Sequence, residues 1–204
     1  MNLADRIRTA IFEGDLAPGQ RLIEADLCAQ LGASRSHVRN ALAGLVSEGL
    51  VERIPHRGAR VRAITLDEAV EFTEIRMVVE GLCAAKAAAA ATGDDARRLR
   101  SIGDRMRRHL AAGDLLEYSA RNRELHSLIQ AISGQSAAGD IIERIRGHLA
   151  RHQVRLALRP GRAAVSLPQH LAIIEAICDH DEDRAESAMR DHLRSVIEAL
   201  RSAG

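Results

Sequence analysis

The feature that most constrains this chain is a change of pattern near residue 64. Before it, apolar residues fall in short segments broken by Pro, Gly and Ser. Beyond it, they recur at helical spacing in long stretches rich in Ala, Leu, Ile and Arg. Apolar residues three and four apart bury one face of an α-helix, whereas short β-prone runs between turn residues make strands. The chain therefore reads as mainly α in two domains: a small head over 1–64 and an all-helical antiparallel bundle over 65–204.

In the head, Leu3, Ile7 and Ile11 share one helical face, and Gly14 with Pro18-Gly19 ends that helix. A second helix is expected over 24–31, then a tight turn at Gly32-Ala33. Ser34 is placed to cap a third helix that ends near Ser47 and buries Val38, Leu42 and Leu45. The stretch LVERIPHRGARVRA comes next, two β-prone runs around a Pro55–Gly58 turn, which predicts a hairpin. Three helices and a hairpin make the winged helix-turn-helix pattern.

Six helices are expected in the bundle, over 66–91, 94–112, 114–132, 137–157, 167–179 and 182–202. Thr65-Leu66-Asp67-Glu68 fits a capping box for the first. Ser166 is expected to cap the fifth, with Pro168 in its first turn.

A net charge of +1 announces no polyanionic partner, but charge is unevenly spread. From Arg35 to Arg62 there are six arginines (35, 39, 53, 57, 60, 62) against two glutamates (48, 52), a local excess suited to phosphate. With no Trp, one Tyr and two Phe, the chain lacks the stacking platforms on which single-strand and RNA binding depend. The opening MNLADRIRTAIFEGD lacks the layout of a signal peptide, and no apolar run suits a membrane span, so a cytoplasmic protein with no membrane partner is expected. The three cysteines form no CxxC pair, which argues against a disulfide framework or a cysteine zinc site.

The start of a recognition helix faces base edges in the major groove. Here it reads Ser34-Arg35-Ser36-His37-Val38-Arg39, with Arg35 and Arg39 one turn apart on a single face. Arginine suits bidentate contact with guanine, and serine serves bases or phosphates. Ser34, Arg35, Ser36 and Arg39 are thus candidate DNA contacts. In the wing, Gly58 lets the backbone come close and Arg57 suits the minor groove.

The segment from Ile11 to Val61 resembles the DNA-binding domain of the GntR family. The resemblance is carried by Gly14, Leu16, Pro18, Gly19 and Leu22; by Ser34, Arg35, Val38, Arg39, Ala41 and Leu42; by Glu48–Val51; and by Arg57, Gly58 and Val61. His37 stands where proline is usual and Asn40 where glutamate is usual, two departures that bear on operator preference.

Three of the nine histidines fall on apolar stripes of three different helices. His126 lies with Asn122 and Ile129, His170 with Ile173, Ile174 and Ile177, and His192 with Met189 and Val196. Buried imidazoles need partners, which are either core hydrogen bonds or a shared divalent metal. His148 and His152 are expected to face solvent. From about residue 66 to 200 the chain is similar to the FCD effector domain of the FadR subfamily, on E-I-R-x-x-x-E at 74–80, N-x-x-x-H at 122–126, the segment around His170 and A-x-x-A-M-R-x-H-L at 185–193. That resemblance implies a divalent ion (zinc, nickel or manganese) held by Asn122, His126, His170 and His192, with a neutral amide where the family often has a carboxylate. It also implies a small organic-acid effector. Arg76 is placed either to pair with the effector's carboxylate or to bridge to Glu80 at i+4.

The expectation is a regulator, most simply a repressor, that binds an inverted repeat of operator DNA as a homodimer and responds to an effector. A dimeric regulator with a decayed metal site is the alternative. A metal-dependent enzyme is a remote one, because the four matched positions include no carboxylate to serve as general base.

Overall fold

The computed structural model describes residues 2–54 and 58–202. Contacts divide the chain into two compact units, one running to Thr65 and including Glu143–Gln153, the other formed by Leu66–Ile142 and the residues from Val154 onward. The first boundary falls where the sequence pattern changes, while the segment 143–153, read from sequence as bundle, groups with the first unit.

The first unit opens with α1 (Leu3–Glu13), capped reciprocally by Asn2 and Asp5 and closed by Gly14 at φ +89°, a conformation that costs glycine little. Next come β1 (Arg21–Leu22), α2 (Glu24–Leu31), α3 (Arg35–Ser47), β2 (Val51–Ile54) and β3 (Gly58–Val61). The strands form an antiparallel sheet in the order β1-β3-β2, with Val51 opposite Val61 and Arg21 opposite Arg60. The two-residue β1 is too short to register as a periodicity. It is fixed from outside by Val61, whose N–H donates to Gln20 O and whose carbonyl accepts from Gly19 N–H, both at 2.9 Å. Ile7, Ile11, Leu27, Val38, Leu42, Leu45 and Val61 form the core of this unit. Gly147 also belongs to it, because a Cβ there would lie 2.0 Å from the Phe12 ring. His148 and His152 are half-buried in this unit, not solvent-facing. His148 packs against Gly49, and His152 Nε2 lies 3.4 Å from the carbonyl of Ile64.

The helices α4 (Leu66–Ala90), α5 (Gly93–Ala111), α6 (Leu115–Ser133), α8 (Arg162–Cys178) and α9 (Glu182–Arg201) build the second unit, and α7 (Ser136–Ala157) spans the division. Leu99, Met106, Leu125, Ile129, Ile173, Ile177, Met189 and Leu193 lie at its centre. α4 packs on α9 and α6, α5 on α6 and α8, and α8 on α9. Small residues set the α4–α9 approach: a Cβ on Gly81 would sit 3.1 Å from the Arg190 side chain, and Ala84, Ala87 and Ala88 are fully buried.

One helix boundary departs clearly from expectation. α8 begins at Arg162, behind Gly161 at φ +78°, so Ser166 lies inside the helix and caps nothing. Its hydroxyl donates back to the Arg162 carbonyl at 2.9 Å, the competing bond that serine makes within helices. Pro168 is accommodated because Ala164, whose carbonyl loses its helical donor, is exposed to water. Among the described residues, no helix is long and apolar enough to cross a membrane.

Candidate functional site

The first unit presents α3. Ser34 caps it, its Oγ accepting the His37 N–H at 3.4 Å and lying 3.0 Å from Ser36 Oγ. With Val38, Ala41, Leu42 and Leu45 buried, the opposite face of the helix carries Arg35, Ser36 and Arg39, all of them exposed. Arg39 donates to Glu24 Oε2 on α2 at 2.8 Å, which orients its guanidinium and neutralises part of its charge. The acidic residues of the basic segment are taken up as well, Glu48 by Arg8 and Glu52 by Arg60 across the β2–β3 ladder. Gly58 has φ +89°, a conformation that disfavours any side chain there, and Arg57 lies outside the described residues.

The second unit gathers three of the sequence-predicted residues at one point. His126 from α6, His170 from α8 and His192 from α9 are buried, and one ring nitrogen from each lies within 4.8 Å of the others. Ring centroids are 5.6 Å apart for His126–His192, 5.7 Å for His126–His170 and 4.3 Å for His170–His192. Each Nδ1 has its own protein partner: Glu80 Oε2 at 2.6 Å for His126, the Tyr118 hydroxyl at 3.2 Å for His170, and Gln169 Oε1 at 3.0 Å for His192. A carboxylate and an amide oxygen only accept, so Nδ1 of His126 and of His192 carries hydrogen, while the Tyr118 hydroxyl has one hydrogen to share among the Ala163 carbonyl, Ser166 Oγ and His170 Nδ1. In the neutral His126 and His192 rings this leaves the lone pair on Nε2. Outer partners that hold imidazoles in one tautomer in this way are characteristic of metal-ligating histidines.

Burial, reinforced by the neighbouring His126, holds His170 well below the usual imidazole pKa. Burial and the neighbouring His170 do the same for His192, so these two rings are neutral donors. Two buried polar atoms here have no hydrogen-bond partner among the described residues, His170 Nε2 and Asn122 Oδ1, the latter one turn before His126 on α6. Unpaired buried polar atoms are costly, and an orphaned Nε2 within the imidazole cluster, with an orphaned amide oxygen one turn before His126, fits a bound cation.

Arg76 makes the bridge to Glu80 that its i,i+4 spacing allows. Its Nε and Nη2 both lie 2.7 Å from Glu80 Oε1, and both side chains are buried. Glu80 thus bridges Arg76 to His126. Sequence reading left Glu80, Tyr118, Ser166 and Gln169 out of the site. Helical spacing carried a signal for three of them, since Glu80 follows Arg76 by four, Tyr118 precedes Asn122 by four and Ser166 precedes His170 by four.

Residues 1–61 match the bacterial regulatory proteins of the gntR family, and residues 71–195, more than half the chain, match the FCD domain. The chain belongs to the gntR family. This FCD-containing gntR regulator is 31% identical over 200 residues to an HTH-type transcriptional regulator in an unstable DNA locus of Streptomyces ambofaciens, covering 96% of this chain and 82% of that one. It is 27% identical over 195 residues to the HTH-type transcriptional repressor RspR of Escherichia coli K12 (96% and 86% covered). It is 30% identical over 201 residues to a probable D-xylose utilization operon transcriptional repressor of Paenarthrobacter nicotinovorans (96% and 85% covered). The solved structure of E. coli McbR/YncC shares the fold, with a TM-score of 0.81 at 22% identity over 98% of this chain and 96% of that one. The matched families and relatives are transcriptional regulators, not enzymes, and so is this protein.

Proposed function

We propose that this regulator acts in the cytoplasm as a homodimeric repressor on an inverted repeat of operator DNA, its affinity set by a small organic acid bound beside a metal ion in the FCD domain. Residues 1–64 form the DNA-binding domain in this reading, with base and phosphate contacts from Ser34, Arg35, Ser36 and Arg39 and wing contacts from Arg57 and Gly58. Residues 65–204 form the sensing and dimerisation domain. The repressor names of the relatives from E. coli and P. nicotinovorans support the sign of regulation.

The observation that carries the sensing role is the orphaning of His170 Nε2 within the imidazole cluster and of Asn122 Oδ1 one turn before His126, with the three Nδ1 atoms all engaged elsewhere. The ligand set would be the three Nε2 atoms and Asn122 Oδ1, and the ion would supply a Lewis-acidic anchor for a carboxylate. A set without a first-sphere carboxylate, dominated by imidazole, favours zinc or nickel over manganese. Glu80 offsets part of the ion's charge through His126. An effector that binds the two dimer arrangements unequally shifts their populations and so the spacing of the DNA heads.

Elemental analysis of protein purified without chelator or histidine tag tests the reading. The expected result is one divalent ion per chain, lost in His126→Ala. Metal-free protein that refuses zinc, nickel and manganese would leave the FCD domain as a dimerising element without a metal-dependent signal.

A further inference from the structure

One half-buried cation in this unit lacks an anionic partner. Arg162, in the first turn of α8, donates through Nη1 to Ser195 Oγ on α9 at 2.8 Å, while its Nη2 is buried without any hydrogen-bond partner. Among the described residues it forms no ion pair, in contrast to Arg76, whose guanidinium is held by Glu80. Burial depresses the Arg162 pKa; the neighbouring Tyr118 opposes this, Arg159 adds to it, and Glu198 opposes it more weakly. A guanidinium in that condition is a site waiting for a carboxylate or similar anion, because desolvating its charge is offset only by a paired acceptor.

Its place in the fold connects it to the histidines. The Arg162 carbonyl accepts from Ser166 Oγ; Ser166 Oγ lies 3.3 Å from the Tyr118 hydroxyl, which in turn meets His170 Nδ1 at 3.2 Å. Ser195, which anchors the guanidinium, is three residues past His192, about 4.5 Å along the axis of α9. The α8–α9 seam that brings His170 and His192 together therefore runs on toward Arg162, which lies eight residues, about 12 Å along the helix axis, before His170 and whose guanidinium is tied to Ser195 on α9.

We infer that Arg162, not Arg76, is the residue that recognises the anionic group of the effector, a carboxylate bridging its Nη2 and the histidine cluster. The inference deepens the effector reading above and rests on it. An effector of this kind carries a carboxylate that reaches past the ion toward α8, which selects organic acids over neutral sugars or amides. Arg76 then acts as a positioning residue, holding Glu80 on His126.

The test uses the full-length, zinc-loaded protein and titrates malonate, lactate, acetate and, as a neutral control, malonamide, by calorimetry and thermal shift. Zinc content is measured on the same samples, so that failure of the metal reading is seen separately from failure of this one. Arg162→Met is expected to keep zinc and the helical spectrum while weakening carboxylate binding roughly 10-fold or more, the scale of one charged hydrogen bond, and Arg162→Lys to restore part of it. Ser195→Ala controls for a purely structural tie between α8 and α9 and is expected to lower the melting temperature with a smaller effect on the anion. Carboxylate binding by Arg162→Met equal to wild type, or wild-type protein that loads zinc yet responds to none of the acids, would overturn the inference.

Discussion

Glu80→Gln is the substitution that reads the buried centre most directly. Glu80 Oε1 holds Arg76 at 2.7 Å and Oε2 holds His126 Nδ1 at 2.6 Å, with all three side chains buried. Glutamine keeps one carbonyl acceptor but replaces the second with an NH2 group, which faces either a guanidinium or an imidazole N–H, both donors. The substitution thus leaves a buried cation uncompensated, for which the typical cost is about 3–5 kcal/mol. The lower end applies because one acceptor survives, and ~3 kcal/mol corresponds to roughly 6–12 °C in melting temperature for a chain of this size. Loss of the carboxylate behind His126 should also weaken zinc binding by about 10–100-fold. Melts followed by circular dichroism on metal-free protein, and zinc competition against a chromophoric chelator, give the two numbers separately. Adding Arg76→Met should recover much of the stability, since no cation is then left buried, but none of the zinc affinity. An unchanged melting temperature together with unchanged zinc affinity in Glu80→Gln would refute the account of Glu80 as the bridge between charge compensation and ligand orientation.

The same geometry sets other outcomes. His170 and His192 are held below the ordinary imidazole pKa of 6.5, so below that pH the unfolded chain binds more protons than the folded one. Metal-free protein should therefore keep its full stability above about pH 6.5 and lose it as the pH falls from there toward the depressed values. Urea titrations between pH 8 and pH 5 measure this, and a His170→Asn, His192→Asn double variant with the same slope would contradict it. Arg35→Ala should cost about 1–3 kcal/mol of operator discrimination, seen as lost preference for operator over scrambled duplex in fluorescence anisotropy. Arg39→Ala should cost less, because Glu24 already draws on its charge. Leu45→Ala, at a fully buried position of the first unit, should destabilise that unit by about 2–5 kcal/mol without changing zinc content.

By itself the sequence determined the features that local periodicity and turn chemistry control. The winged helix-turn-helix was legible because its caps, breaks and apolar spacing are all local: Ser34 caps α3, Gly14 closes α1, and the Val38–Leu42–Leu45 stripe dictates that Arg35 and Arg39 face outward. The inward placement of His126, His170 and His192 was legible for the same reason, each being one position on a single amphipathic helix.

Tertiary structure decided the features that depend on two or more helices at once. The convergence of the three rings needs the α6, α8 and α9 packing. The second contact of Glu80, to His126 on a different helix, is invisible in the spacing along α4, and β1 exists because β3 lies beside it. α8 starts at Arg162, behind Gly161 in the left-handed region, so Ser166 falls inside the helix and turns its hydroxyl back to the Arg162 carbonyl, an outcome that spacing alone does not rank. The incomplete pairing of Arg162 is of the same kind. A sequence shows that an arginine is present, but whether a carboxylate reaches it is settled only when the surrounding helices have excluded water.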